Sequence, residues 1–360
     1  MGFLSWLRSL FGGRRRPPTE IPSGGWPPLT KPIPPPPPAP QPPPASDGHA
    51  PIKITDERDG ELLNRGYSYW SQAWLDRHGA AFVFVGHADG RPRFFRVDAD
   101  GLITRMGPML GYGGTAEGWY WTPNGEVMLC DGPRLRRVSP FTGADEVVLD
   151  ISGIMSGCRL WQAHSSDDGR THSATVQRIV DDGAYPNVGT ALVHRGGEPR
   201  IYLNRAELDE SHITADGSHL IIEEGDGNRI IDLASGAETG IANAAGALSH
   251  IDCGPGFAVG EDDQQGACVR LDLRTMERRV LFSTWGMGHV SVRSGRCLLS
   301  DAKQLALVAL DGSGVTHLIE HGMRGEGYDF QVHGNLSPDG TAAAYVSNAA
   351  GRMDLYLLRL

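Results

Sequence analysis

The chain has 360 residues, 40% hydrophobic, 21% charged and 8% aromatic, enough apolar material for one large globular domain or two ordinary ones. Its formal charge of -10 excludes general nucleic-acid binding, which needs a cationic surface to displace counterions. No apolar run approaches the roughly 20 residues of a membrane-spanning helix, and the 5 cysteines, scattered without a CxxC pair, fit neither a disulfide framework nor a structural zinc site. They read as reduced thiols of a cytoplasmic protein.

Residues 1–16 form the first element. Phe3, Leu4, Trp6, Leu7, Leu10 and Phe11 recur at the spacing of one helical face, and Arg14, Arg15 and Arg16 follow. Arg8 interrupts the apolar stretch and no small-residue cleavage site follows, so the segment does not read as a secretory signal. It reads as an amphipathic helix that either lies on a membrane surface with its arginines on anionic headgroups or docks into a groove on an assembly partner. Residues 17–51 are dominated by proline, with a run from Pro34 to Pro38 and a cluster from Pro42 to Pro44. Lacking donors for helix or sheet, this segment is expected to extend as a stiff polyproline spacer.

From residue 52 to 360 the chain repeats. Turn glycines at Gly79, Gly125, Gly169, Gly217, Gly256, Gly295 and Gly340 fall at a propeller-like period. Each is followed by an apolar or alternating run: Ala81 to Val85, Glu126 to Cys130, Thr171 to Ile179, His219 to Glu223, Phe257 to Val259, Cys297 to Ser300 and Ala342 to Ser347. A second run then follows in every unit, from Arg93 to Val97 in the first to Asp354 to Leu358 in the last. No amphipathic helical pattern separates these runs, which argues against an α/β fold. The pattern predicts an all-β, seven-bladed β-propeller. Its last unit is one strand short, and Ile52 to Thr55 is a spare strand able to close the ring and remove an open sheet edge.

The segment His333-Gly-Asn-Leu-Ser-Pro-Asp-Gly-Thr-Ala-Ala-Ala-Tyr-Val-Ser-Asn, followed by a Gly turn and Asp354-Leu-Tyr, resembles the repeat of TolB-type (PD40, WD40-like) propellers. Of 13 histidines, His164, His212, His250, His289 and His333 hold similar places just ahead of the first turn of successive units. The first strand of a propeller blade lines the central channel, so these imidazoles are expected to converge on one mouth of the ring. Their offsets to the turn glycine differ by one or two residues, which small insertions or deletions in the turns would absorb. Channel histidines beside Gln331 suit a divalent transition metal.

Among TolB-type propellers this histidine pattern is similar to that of oligogalacturonate lyases. That resemblance implies Mn2+ held by His289, Gln331 and His333, His250 as the base, and β-elimination on acidic (uronate) oligosaccharides. The family places two closely spaced histidines after its glutamine where this chain has one, so His212 or His250 is expected to fill the gap. Arg324, in the Gly322 to Gly327 loop, is a candidate to grip a substrate carboxylate. No Gly-x-Ser-x-Gly elbow, P-loop or zinc-protease motif appears, which removes the usual support for serine hydrolysis, nucleotide hydrolysis and that form of proteolysis. The competing expectation is a non-catalytic platform whose open face binds a protein or glycan, tethered by residues 1–16 to a membrane or larger assembly.

Overall fold

A computed structural model describes residues 50–60, 62, 71–86, 93–108, 119–180, 185–262, 264–283, 287–325 and 330–360. The amphipathic segment 1–16 and the proline-rich spacer, up to residue 49, lie outside the described residues.

Seven four-stranded antiparallel sheets form the blades of a β-propeller. Blade one spans residues 71–108, blade two 120–150, blade three 158–203, blade four 208–242, blade five 248–283 and blade six 287–320. Blade seven combines Asn335–Leu336, Ala342–Ser347 and Asp354–Arg359 with Ile52–Lys53, which lies on its outer edge. The spare strand thus closes the ring, with Ile52 opposite Leu357 and Lys53 opposite Tyr356. Asp354, buried at the start of its strand, accepts a hydrogen bond from Thr55 Oγ1 (3.0 Å) and pairs with Lys53 Nζ (2.7 Å).

Burial explains which strands the sequence announces. The second strand of each blade is sandwiched between neighbouring blades, so Ala81–Val85, His219–Glu224 and Ala342–Ser347 are buried along their whole length and read as continuous runs. Their side chains fill the seams. Ile54, Val83, Val85, Val346 and Leu355 join blade one to blade seven, and Val259, Leu281, Val292 and Leu299 join blade five to blade six. At about 1.5–3 kcal/mol for each fully buried branched side chain, these seams dominate the stability of the ring. Outer strands such as Asp145–Asp150 and Val315–Glu320 are only partly buried.

The two faces of the disc carry different connections. Hairpins from first to second strands and turns from third to fourth strands share one face, hereafter the hairpin face. Arg359 demonstrates this by bridging from the end of blade seven to the carbonyls of Gly79 and Asp98, one in each kind of turn of blade one. Ile52 pairs near the end of the blade-seven strand that runs toward this face, so the closing strand begins there.

Among the described residues no helix is long and apolar enough to cross a membrane. All five cysteines are free thiols.

Candidate functional site

Each inner strand reaches its hairpin through a defined opening residue: Asp76, Ser166, Thr214, Gly254, Arg293 and Ser337 in blades one and three to seven. Four positions earlier stand Gln72, Gln162, Glu210, His250, His289 and His333, one residue from each of these blades at the same height in the channel. Two positions closer to the hairpin lie His164 and His212, opposite Ser173 and Ile221 on their neighbouring strands. The five histidines therefore occupy two tiers rather than one. His250, His289 and His333 share a tier because their hairpins differ in length, two linking residues in blades five and six against four in blade seven.

The inner strands bulge at this tier. Register shifts fall between Trp161 and Ala163, Leu208 and Ser211, Ser249 and Asp252, and Met287 and His289. Gln162 and His250 sit in these bulges with φ of 43° and 51°, left-handed values that are strained for residues with a Cβ. Bulges re-aim side chains and concentrate next to functional sites.

The imidazoles meet across blade boundaries. His289 and His333 have ring centroids 3.6 Å apart at 36°, and His250 meets His289 edge-on at 4.9 Å. His164 and His212 are 4.3 Å apart in the second tier. Glu210 joins the tiers, with Oε1 3.1 Å from His212 Nε2. Glu261 Oε2 lies 4.0 Å from His250 Nδ1. Glu210, Asp209 and Glu261 are residues whose type and spacing carried no signal in the sequence, because they are read as site residues only once the bulges and blade order are known.

Burial sets the protonation of the row. It pushes His289 well below the usual imidazole range, helped by His333 and His250 and opposed by a hydrogen bond with Gln331. His333 is pushed down to about 3 by burial, with His250 adding to it. Burial alone would raise Glu210, but His212, hydrogen-bonded to it, and nearby His250 bring its carboxyl below the ordinary value. Asp209 goes the other way, up to about 6, from burial and the charge of Glu210 beside it.

Neutral imidazoles are the form that binds metals. His289 Nε2 is buried with no hydrogen-bond partner, so the donor set has the chemistry of a divalent-metal site. The arrangement of the rings is another matter. Among the described residues no three His, Cys, Asp or Glu side chains stand grouped as a metal ion needs, and His289 would have to turn off the face of His333 to act as a ligand. Of the expected site residues, the structure brings His250, His289, His333 and Gln331 together, and links His212 to them through Glu210. Arg324 lies on an exposed loop at the same end of the channel, pinned through its backbone. Its N–H donates to Asn348 Oδ1 (2.7 Å) and its carbonyl accepts from Asn348 Nδ2 (2.6 Å).

No protein-family model matches this sequence, and no curated protein does. Among solved structures it is similar to an oligogalacturonate lyase in complex with manganese, with a TM-score of 0.62 and 16% identity over 88% of this chain and 98% of that one. An oligogalacturonate lyase from Vibrio parahaemolyticus gives 0.61 and 11% identity over 87% and 96%. A chain of the mitotic checkpoint complex gives 0.51 and 12% over 96% and 99%. At these identities the likeness concerns architecture alone: the chain has a seven-bladed propeller fold of the kind found in oligogalacturonate lyases.

Proposed function

We propose that the histidine-lined mouth binds acidic, uronate-containing oligosaccharides and cleaves them by β-elimination, with His289, His333 and Gln331 holding a divalent metal, Mn2+ for preference. The observation that carries this reading is the row of His250, His289 and His333 from three consecutive blades, with Gln331 hydrogen-bonded to His289. When bound, the metal supplies Lewis acidity at the uronate carboxylate and so acidifies the adjacent C–H.

The rest falls to the chain. His250 is the base: its side chain is 26% exposed, where His289 and His333 are buried, so it is the imidazole of the row that a substrate can reach. Its ring takes up the C5 proton as the C4–C5 double bond forms and the C4–O bond breaks, the leaving oxygen taking a proton from water. Glu261 beside Nδ1 stabilises the imidazolium that results. Arg324 grips a second carboxylate from its loop. Because Glu210 and Glu261 make the wall at blades four and five anionic, an acidic ligand is held from the blade six and seven side.

A second reading is favoured by the ring arrangement. His289 and His333 pack against each other with their rings tilted by 36°, which suits a rigid saccharide- or protein-binding platform without a metal. Ile52 lies toward the hairpin face, whereas His250, His289 and His333 lie toward the opposite one. On this reading residues 1–16 tether the platform to a membrane surface or an assembly partner.

Elemental analysis of the purified full chain and ultraviolet detection of unsaturated uronate separate the readings. We expect bound divalent metal and product from oligogalacturonate. His250→Ala is expected to slow turnover about 100-fold or more with metal content unchanged, and His333→Ala to lose the metal. No metal and no product after added Mn2+ removes the lyase and leaves the platform.

A further inference from the structure

The channel has a second, chemically different mouth. At the hairpin face a shallow concavity of about 30 Å3, open to solvent, is lined by Tyr120, His164, Ser165, Asp167, Asp252 and Arg293 among others. Ser165 and His172 are directly opposed on the first two strands of blade three, and Ser165 Oγ lies 2.6 Å from His172 Nδ1. Tyr120, from blade two, brings its hydroxyl to 2.5 Å from the same Oγ. His172 also hydrogen-bonds the backbone of Gly169. In the tautomer that carries its proton on Nε2, Ser165 donates to Nδ1 and Tyr120 donates to Ser165.

We propose that Ser165 is a nucleophile for acyl transfer from small carboxylic esters, with His172 as its general base and Tyr120 as the donor to the oxyanion. The arrangement has the three parts such chemistry needs: a nucleophile facing a cavity, a base within hydrogen-bond reach, and a group that orients the base. Ser165 Oγ bonds to the ester carbon as the carbonyl π pair moves onto oxygen, and its proton passes to His172 Nδ1. Tyr120 turns its O–H from Oγ to that oxyanion; burial holds its hydroxyl protonated far above neutral pH. Collapse breaks the bond to the leaving alcohol, which takes the proton from Nδ1. Water then repeats the sequence on the acyl-serine, releasing the acid and restoring Ser165. Neither the histidine mouth nor a metal takes part, so this proposal stands or falls separately from the lyase reading.

The test is covalent labelling of the full chain with a fluorophosphonate, read by intact mass and peptide mapping, together with hydrolysis of p-nitrophenyl acetate. One adduct per chain on Ser165 is expected, lost in Ser165→Ala and slowed about 100-fold or more in His172→Gln. A hydrogen bond that merely joins two strands gives no adduct. Wild-type chain that stays unlabelled, labels elsewhere, or labels at Ser165 equally fast in His172→Gln overturns the proposal. Because His172→Gln could also unfold blade three, Tyr120→Phe provides a second variant: retained fold with slower acylation supports the assignment, and unchanged acylation removes Tyr120 from it.

Discussion

Replacing Asp354 by alanine is expected to cost the propeller about 3 kcal/mol, because it removes one partner from a buried ionic contact. The carboxylate is fully buried and holds Thr55 Oγ1, Lys53 Nζ and Arg352 Nε at 3.0, 2.7 and 3.1 Å. Two of these three groups sit on or beside the strand that closes the ring, 299 residues away in the case of Thr55. Without the carboxylate, Lys53 and Arg352 are exposed enough to take up water, which places the loss at the lower end of the range for broken buried pairs, about 3 kcal/mol rather than 5. Thr55 keeps its acceptor role toward the Leu355 N–H, so the strand register survives. Urea unfolding should show a lower midpoint with the same slope. Asp354→Asn, which retains an acceptor for Thr55 but no charge, should lose less. An unchanged midpoint in Asp354→Ala would mean that the seams between blades, and not this clasp, keep the ring shut.

The closing strand was legible in the sequence and the site was legible only in part, for one physical reason. Strands buried on both faces favour apolar residues, so Ala81–Val85 and Ala342–Ser347 announce themselves with their bounds intact. A missing partner in the last unit then points to Ile52 as the closing strand. Outer strands such as Arg200–Leu203 face water and leave no pattern to read. The inner strands carry the site, and their register depends on bulges and on hairpin length. A one-residue bulge turns every later side chain to the other side of the strand. The spacing to the turn glycine therefore grouped five histidines, whereas the structure separates His164 and His212 from His250, His289 and His333. The same geometry hid Glu210, which shares the height of His250 in the channel, and the Ser165 and His172 pair, which is adjacent only across the hairpin.

Acidification from pH 7 to pH 5 is expected to destabilise the folded chain by at least about 3 kcal/mol, through histidines that the fold keeps neutral. His333 falls from 6.5 to about 3 and His172 from 6.5 to about 4, each mainly through burial. In both cases the unfolded chain binds the proton more tightly than the folded one. The stability is therefore complete above pH 6.5 and is lost as the pH falls from there toward the folded values. At pH 5 the loss is about 2 kcal/mol for each, at about 1.4 kcal/mol per pH unit. His164 and His289, also held low by burial, add to it. Asp209 opposes them: its carboxyl, raised to about 6, takes up a proton in the folded state first and returns about 1 kcal/mol. Carboxylates held low, such as Asp150 at about 2, matter only in stronger acid, so the histidines dominate the window from pH 7 to pH 5. His333→Gln puts a neutral amide where the imidazole was and should flatten the dependence by about 2 kcal/mol at pH 5. Urea midpoints measured for both proteins at each pH decide the matter. Equal pH dependence would show that His333 titrates like an imidazole in water and that water reaches the row of imidazoles in the channel.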